Sequence, residues 1–201
     1  MERPDGSTRV DHAITSWMVA HRAEPVTTLA KVLTTLGSQT VLVPVVTVLA
    51  LTLLWRRRFA LTVSLVGVWG GAIVLYSLGK YLVGRPRPPA EIWLVHVAGT
   101  AFPSGHATQS LATFVALAVV ASRWLGRTHW PGVAIAVVLA AGVGWSRVYL
   151  GVHWATDVAA GWLLAAGWLA VVFRYERAKS SAAWGSNSNA SNGSSPTTSA
   201  S

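Results

Sequence analysis

The 201-residue chain is 52% hydrophobic and 11% charged. An ordinary globular domain carries about 25% charged residues, so this chain needs a lipid solvent and a soluble globular class is excluded. Cysteine is absent, which removes disulfides, thiolate metal sites and cysteine nucleophiles, and the net charge of +9 sits near the ends of apolar runs, where it serves membrane topology rather than nucleic-acid binding.

Taken in chain order, residues 10–36 carry His12, His21, Arg22, Glu24 and Lys31 among their apolar positions, a density of charge that a spanning helix does not tolerate. Residues 1–35 are therefore expected to lie at the interface as an amphipathic helix. Residues 36–55 form the first apolar run of about spanning length, stopped by Arg56, Arg57 and Arg58, and residues 59–81 form the second. The GRPRPP segment at 84–89 breaks helical geometry, because proline lacks an amide proton and restrains its predecessor, so a loop is expected to about Phe102. A third run covers 107–125. Pro131 suits the first turn of a fourth run to about Trp145, and the fifth covers 157–173. After Lys179 the composition turns to Ser, Asn, Gly, Ala and Thr without apolar periodicity, so the tail 180–201 is expected to be disordered. The expected fold is all-α: an integral-membrane bundle of five spanning helices over residues 36–175, preceded by the amphipathic N-terminal helix.

Five alternating spans put Arg56, Arg57, Arg58, Arg123, Arg127, Arg174, Arg177 and Lys179 on one side, which the positive-inside rule makes cytoplasmic. The opposite side then carries the 81–102 loop, the 147–154 turn and the N-terminal stretch, so a site built from those segments faces outward. Trp55, Trp93, Trp124, Trp130, Trp145 and Trp154 lie near span ends, where amphipathic indoles anchor at the headgroups. Gly67 and Gly71 make a GxxxG spacing, read as helix packing rather than as a dimer contact, and the oligomeric state stays open.

Three outward-facing clusters carry chemistry. Lys80, Arg87 and Arg147 come from separate segments at the lipid boundary, where unpaired cations are costly, so their convergence points to a shared anion, and phosphate is the natural one. Ser104 and Gly105, at the start of a helix, offer a hydroxyl, backbone amides and the positive end of a helix dipole as a phosphate cradle. His153 and Asp157 are four apart, so on a helix the carboxylate can take the Nδ1 proton and leave Nε2 as a nucleophile, with His106 as the general acid. His12, His21, His96 and His129 have no such context and are read as ordinary surface or core residues. Arg85 also precedes a proline, but the spacing from Lys80 selects Arg87, so Arg85 is left out of the core site.

These residues resemble the signature of the type 2 phosphatidic acid phosphatase and vanadium haloperoxidase superfamily: K-x(6)-R-P, P-S-G-H and S-R-x(5)-H-x(3)-D. Here the parts read KYLVGRPRP from Lys80, PSGH from Pro103 and SRVYLGVHWATD from Ser146, with every fixed identity and internal spacing kept. The resemblance implies that Lys80, Arg87, Ser104, Gly105 and Arg147 hold the phosphate, that His106 is the acid and His153 the nucleophile oriented by Asp157, and that no metal or other cofactor takes part. The implied function is a membrane lipid phosphatase acting through phosphohistidine on phosphatidic acid, phosphatidylglycerol phosphate or an undecaprenyl-type diphosphate, with its site outside a bacterial cell membrane. A phosphotransferase of the same chemistry is an alternative, as is a non-catalytic lipid-binding membrane protein, though the latter would not need both histidines and the aspartate. A haloperoxidase fits poorly with so membrane-embedded a chain. Bacterial members of the family usually have six spans, and five here would put Met1 to Thr35 outside despite Arg3, Arg9, Arg22 and Lys31. Either that stretch crosses as the first helix inserts, or a further spanning helix precedes this start.

Overall fold

The structure is a computed structural model and describes residues 6–192. Among the described residues all regular structure is helical, with a single 3-10 turn at Ala90–Ile92 between the longer helices. The N-terminal stretch is two helices rather than one. The first, α1 (Arg9–Ala20), opens with a capping box in which Asp11 N–H donates to Thr8 Oγ1 at 3.0 Å and Thr8 N–H donates to Asp11 Oδ2 at 3.0 Å. The second, α2 (Glu24–Leu36), carries Pro25 in its first turn, where the missing amide costs nothing.

After Gly37 and Ser38 the chain enters α3 (Gln39–Trp55), bent 41° from α2. Seventeen residues at about 1.5 Å each reach about 25 Å, short of a hydrocarbon core of about 30 Å. The fifth span, expected over residues 36–55, is therefore too short as α3 alone and reaches spanning length only when counted with the bent α2 as one broken span. Four helices are long and apolar enough alone: α4 (Phe59–Val83), α5 (Gly105–Leu125), α6 (Trp130–Tyr149) and α7 over Ala155–Lys179. Glycines in the left-handed region, Gly84 at φ 63° and Gly126 at φ 63°, end α4 and α5, a conformation that side chains with a Cβ resist. Pro131 stands in the first turn of α6 as expected. The last helix, α7 (Ala155–Asn192), continues beyond Lys179 through residues that contain no proline, into the stretch expected to be a disordered tail; residues 193–201 of that tail lie outside the described residues.

Helix α5 sits centrally and packs on α4, α6 and α7. Its Ala112, Ala116 and Val120 meet Val68 and Ala72 of α4 and Ala165 and Leu169 of α7. Small residues let these helices approach, which matters in lipid, where packing rather than the hydrophobic effect holds helices together. Gly71 abuts the Trp168 indole, whose Nε1–H donates to Val68 O at 3.1 Å, so this half of the GxxxG pair serves packing within the chain. The outward faces of α3, α4 and α6 expose Val48, Leu51, Val63, Val74 and Val138. With several candidate spans and these apolar outer faces, the chain is an integral membrane protein.

Candidate active site

One end of the bundle encloses a cavity of about 370 Å³ lined largely by polar residues. Lys80 in the last turn of α4, Arg87 in the following loop, Gly105 and His106 at the start of α5, Arg147 in the last turn of α6 and His153 in the α6–α7 turn all line it. Six of the eight residues singled out in the sequence thus meet around one space. The other two stand just behind: Ser104 is the N-cap of α5 with a buried hydroxyl that lacks a partner, and Asp157 is fully buried in the first turn of α7.

Backbone carbonyls hold Lys80 and Arg87, and a threonine hydroxyl holds Arg147. Lys80 Nζ donates to Thr100 O. Arg87 donates to Ala98 O at 3.0 Å, Gly99 O at 2.9 Å and Val152 O at 2.7 Å, so its guanidinium ties the 84–104 loop to the α6–α7 turn. Arg147 donates to Thr34 Oγ1 at 2.6 Å, while its Nε is buried without a partner. Arg147 thus carries a buried, incompletely satisfied guanidinium and Ser104 an unpartnered hydroxyl, a set of donors of the kind that an anion satisfies. The amides of Gly105 and His106 begin α5 and have no intrahelical acceptor, and they add to that set.

Arg87 Nη1 lies 3.0 Å from His153 Nε2. A guanidinium only donates, so Nε2 accepts here and the ring proton is assigned to Nδ1. That proton faces Asp157 Oδ2 at 3.4 Å, a long contact. The same oxygen accepts from Trp154 N–H at 2.9 Å. Burial pushes the His153 pKa well below its ordinary value, and the positive charges of Arg147, Arg87 and Lys80 push the same way, so the ring is neutral near pH 7. The neutral imidazole thus keeps its Nε2 lone pair on Arg87, in a cavity that Lys80 and Arg147 also line.

Arg85, which the sequence left out of the core site, and Asp11, which it did not single out, stand behind the cavity in contact with Asp157 and with each other. Arg85 is buried and donates from Nη1 to Asp157 Oδ1 at 2.6 Å and to Thr156 Oγ1 at 2.7 Å, and from Nη2 to Asp11 Oδ2 at 2.8 Å. Asp11, fully buried on α1, also accepts from Thr156 N–H at 2.9 Å. Alternation in the extended RPRP segment was the available signal for Arg85, since residues two apart can serve neighbouring parts of one site. Asp11 had none, because its capping-box position accounts for it completely. His21, His96 and His129 are exposed, and His12 contacts Ser7 at 2.7 Å and the Trp154 ring.

A family model described as the PAP2 superfamily matches residues 60–181. The chain is 34% identical over 133 residues to the undecaprenyl-diphosphatase of Sulfolobus acidocaldarius, covering 64% of this chain and 60% of that protein, so it spans less than two thirds of that relative's length. It is 30% identical over 157 residues to phosphatidylglycerophosphatase B of Bacillus subtilis, covering 77% of each. The crystal structure of a transmembrane PAP2-type phosphatidylglycerolphosphate phosphatase from Bacillus subtilis matches with a TM-score of 0.77 at 28% identity, covering 83% of this chain and 84% of that one.

Proposed function

The chain belongs to the PAP2 superfamily, and from that premise we propose that it hydrolyses a phosphomonoester or diphosphate of a lipid through a phosphohistidine intermediate, at a site on the extracytoplasmic face. The observation that carries this reading is the Arg87–His153 contact at 3.0 Å inside a cavity that Lys80, Arg147 and His106 also line. It puts a lone pair beside the cations to which this reading assigns the phosphate.

In the proposed reaction the lipid lies with its chains along the apolar outer faces and its phosphate in the cavity. Lys80, Arg87 and Arg147, the Ser104 hydroxyl and the Gly105 amide meet the equatorial oxygens, where charge develops in the transition state. His153 Nε2 attacks phosphorus as the P–O bond to the lipid breaks, and His106, whose protonated form the negative charge of the bound phosphate favours against the surrounding cations, gives its proton to the departing oxygen. Neutral His106 then takes a proton from water, the resulting hydroxide attacks phosphorus, and the P–N bond breaks to release inorganic phosphate. Three cations and a helix N-terminus supply the charge stabilisation that a divalent metal gives elsewhere, so the reaction is proposed to need none.

The relatives' names, undecaprenyl-diphosphatase and phosphatidylglycerophosphatase B, narrow the candidate substrates to lipids with a terminal phosphate. The test is purified enzyme in detergent against phosphatidic acid, phosphatidylglycerol phosphate and undecaprenyl diphosphate, with kcat/KM for each from phosphate release. Release from at least one, persisting in EDTA and suppressed by orthovanadate as a pentacoordinate analogue, supports the reading. Loss of all activity in EDTA, restored by Mg2+, contradicts it.

A further inference from the structure

The carboxylate that faces His153 is not alone. Asp157 Oδ1 receives Arg85 Nη1 at 2.6 Å, and the other end of the same guanidinium meets Asp11 Oδ2 at 2.8 Å. Both carboxylates are fully buried and Arg85 is 7% exposed, so the three charges interact with little screening from water. Asp11 also accepts the Thr156 N–H at 2.9 Å. That amide belongs to the first turn of α7 and has no carbonyl within its own helix to bond. A side chain of α1 therefore caps the helix from which Asp157 projects.

We propose that Asp11 and Arg85 are positioning residues for the reaction: Arg85 fixes the Asp157 carboxylate against His153, and Asp11 fixes and charge-balances Arg85. This rests on the reading of His153 as nucleophile and Asp157 as its orienting partner. The charges give the physical reason. Arg85 by itself would neutralise Asp157 and weaken its hold on the Nδ1 proton, whereas Asp11 returns the three-residue chain to a net charge of −1. Without Arg85, two buried carboxylates would face each other, and like charges in that setting drive one to take up a proton. Neither Asp11 nor Arg85 lines the cavity, and their side-chain bonds run to Asp157, Thr156, Thr8 and each other. Both act through Asp157, and the N-terminal helix becomes part of the working site rather than a surface appendage.

A double-mutant cycle on full-length protein in detergent tests this, with inorganic phosphate release from the preferred lipid measured under single-turnover conditions. Asp11→Asn is expected to lower kcat by about tenfold or more, as loss of a partner that orients a reacting ligand does elsewhere, while KM changes less than twofold. In an Asp157→Asn background the same substitution is expected to cost no more than twofold, because the group it acts through is already gone. If Asp11→Asn does not purify as a monodisperse species, Arg85→Lys is read by the same two criteria; it keeps the charge but presents one ammonium where the guanidinium spans two carboxylates. Asp11→Asn turnover within twofold of wild type overturns the inference, as does an equal loss in both backgrounds, which a purely structural role would give. Full activity of Asp157→Asn would instead overturn the underlying reading of the site, so the two failures are distinguishable.

Discussion

His106 stands in the first turn of α5 with its ring on the cavity, opposite the segment that carries His153. If it protonates the leaving oxygen, its worth depends on how poor that leaving group is. His106→Ala is expected to lower kcat on a lipid alkoxide by about 10²–10⁴-fold and to cost an aryl phosphate, whose phenolate leaves unaided, far less; steady-state rates on the two substrate types check this. Asp11 makes a separate pH prediction. Burial alone would raise its carboxyl, but the Thr156 and Thr8 amides and Arg85 outweigh burial and hold it at about 2. The folded pKa lies below the unfolded value of about 3.9, so this contribution to stability is complete above about pH 4 and is lost as pH falls toward 2. Thermal unfolding in detergent between pH 6 and pH 3 should steepen below pH 4 for wild type and stay flatter for Asp11→Asn. The convergence was legible at this scale wherever spacing tied residues together: Lys80, Arg87, Gly105, His106, Arg147 and His153 line one cavity, with Ser104 and Asp157 just behind it. Asp11 and Thr34 were not, because their contacts join segments 145 and 113 residues apart and leave no local pattern.

The junction of α5 and α7 is where packing reaches the chemistry. Gly161 of α7 lies against the Ser104 carbonyl, and a Cβ there would stand 2.8 Å from that oxygen and 2.9 Å from Thr108 Oγ1. Ser104 N–H donates to Asp157 O at 3.0 Å, so displacing Ser104 also strains its backbone link to Asp157. Gly161→Ala is expected to destabilise by about 1–3 kcal/mol and to lower kcat. Gly167→Ala, on the same helix with nothing within 4 Å of the added carbon, is expected to be neutral or to stabilise by up to about 1 kcal/mol through helix propensity. Thermal melts and turnover of the two variants separate local crowding from a general effect of removing glycine. Four spans were legible from hydropathy because lipid demands unbroken apolar runs. The bend between α2 and α3 was not, since Thr34, Leu36 and Val41 give no sign that the chain turns by 41° at Gly37 and Ser38. The division of the N-terminal stretch into α1 and α2 was equally hidden, because Arg22, which donates to Ile92 O at 2.8 Å and Tyr149 O at 2.9 Å, reads locally as one more interfacial charge.

For the molecule as a whole, Ser38 and Gln39 at the start of α3 line the same cavity as Lys80 near the end of α4, and each later helix alternates in turn. The site therefore occupies one end of the bundle, while Arg56, Arg57, Arg58, Arg123 and Arg127 follow the helix ends away from it. The positive-inside rule then predicts an outward-facing site with α1 on that same side. Because the chain has no cysteine, single cysteines report this cleanly: His21→Cys and Glu91→Cys should react with an impermeant maleimide in intact cells, and Arg57→Cys only after permeabilisation. The reverse pattern would contradict the orientation. The proposed lipid phosphatase chemistry through phosphohistidine at residue 153 is open to test by rapid acid-free quench of the full-length enzyme with a ³²P-labelled lipid phosphate in EDTA. A phosphoenzyme that is stable to alkali, labile to acid, present in wild type and absent from His153→Ala is the predicted result; an equal label on both proteins, or turnover by His153→Ala at the wild-type rate, would contradict it.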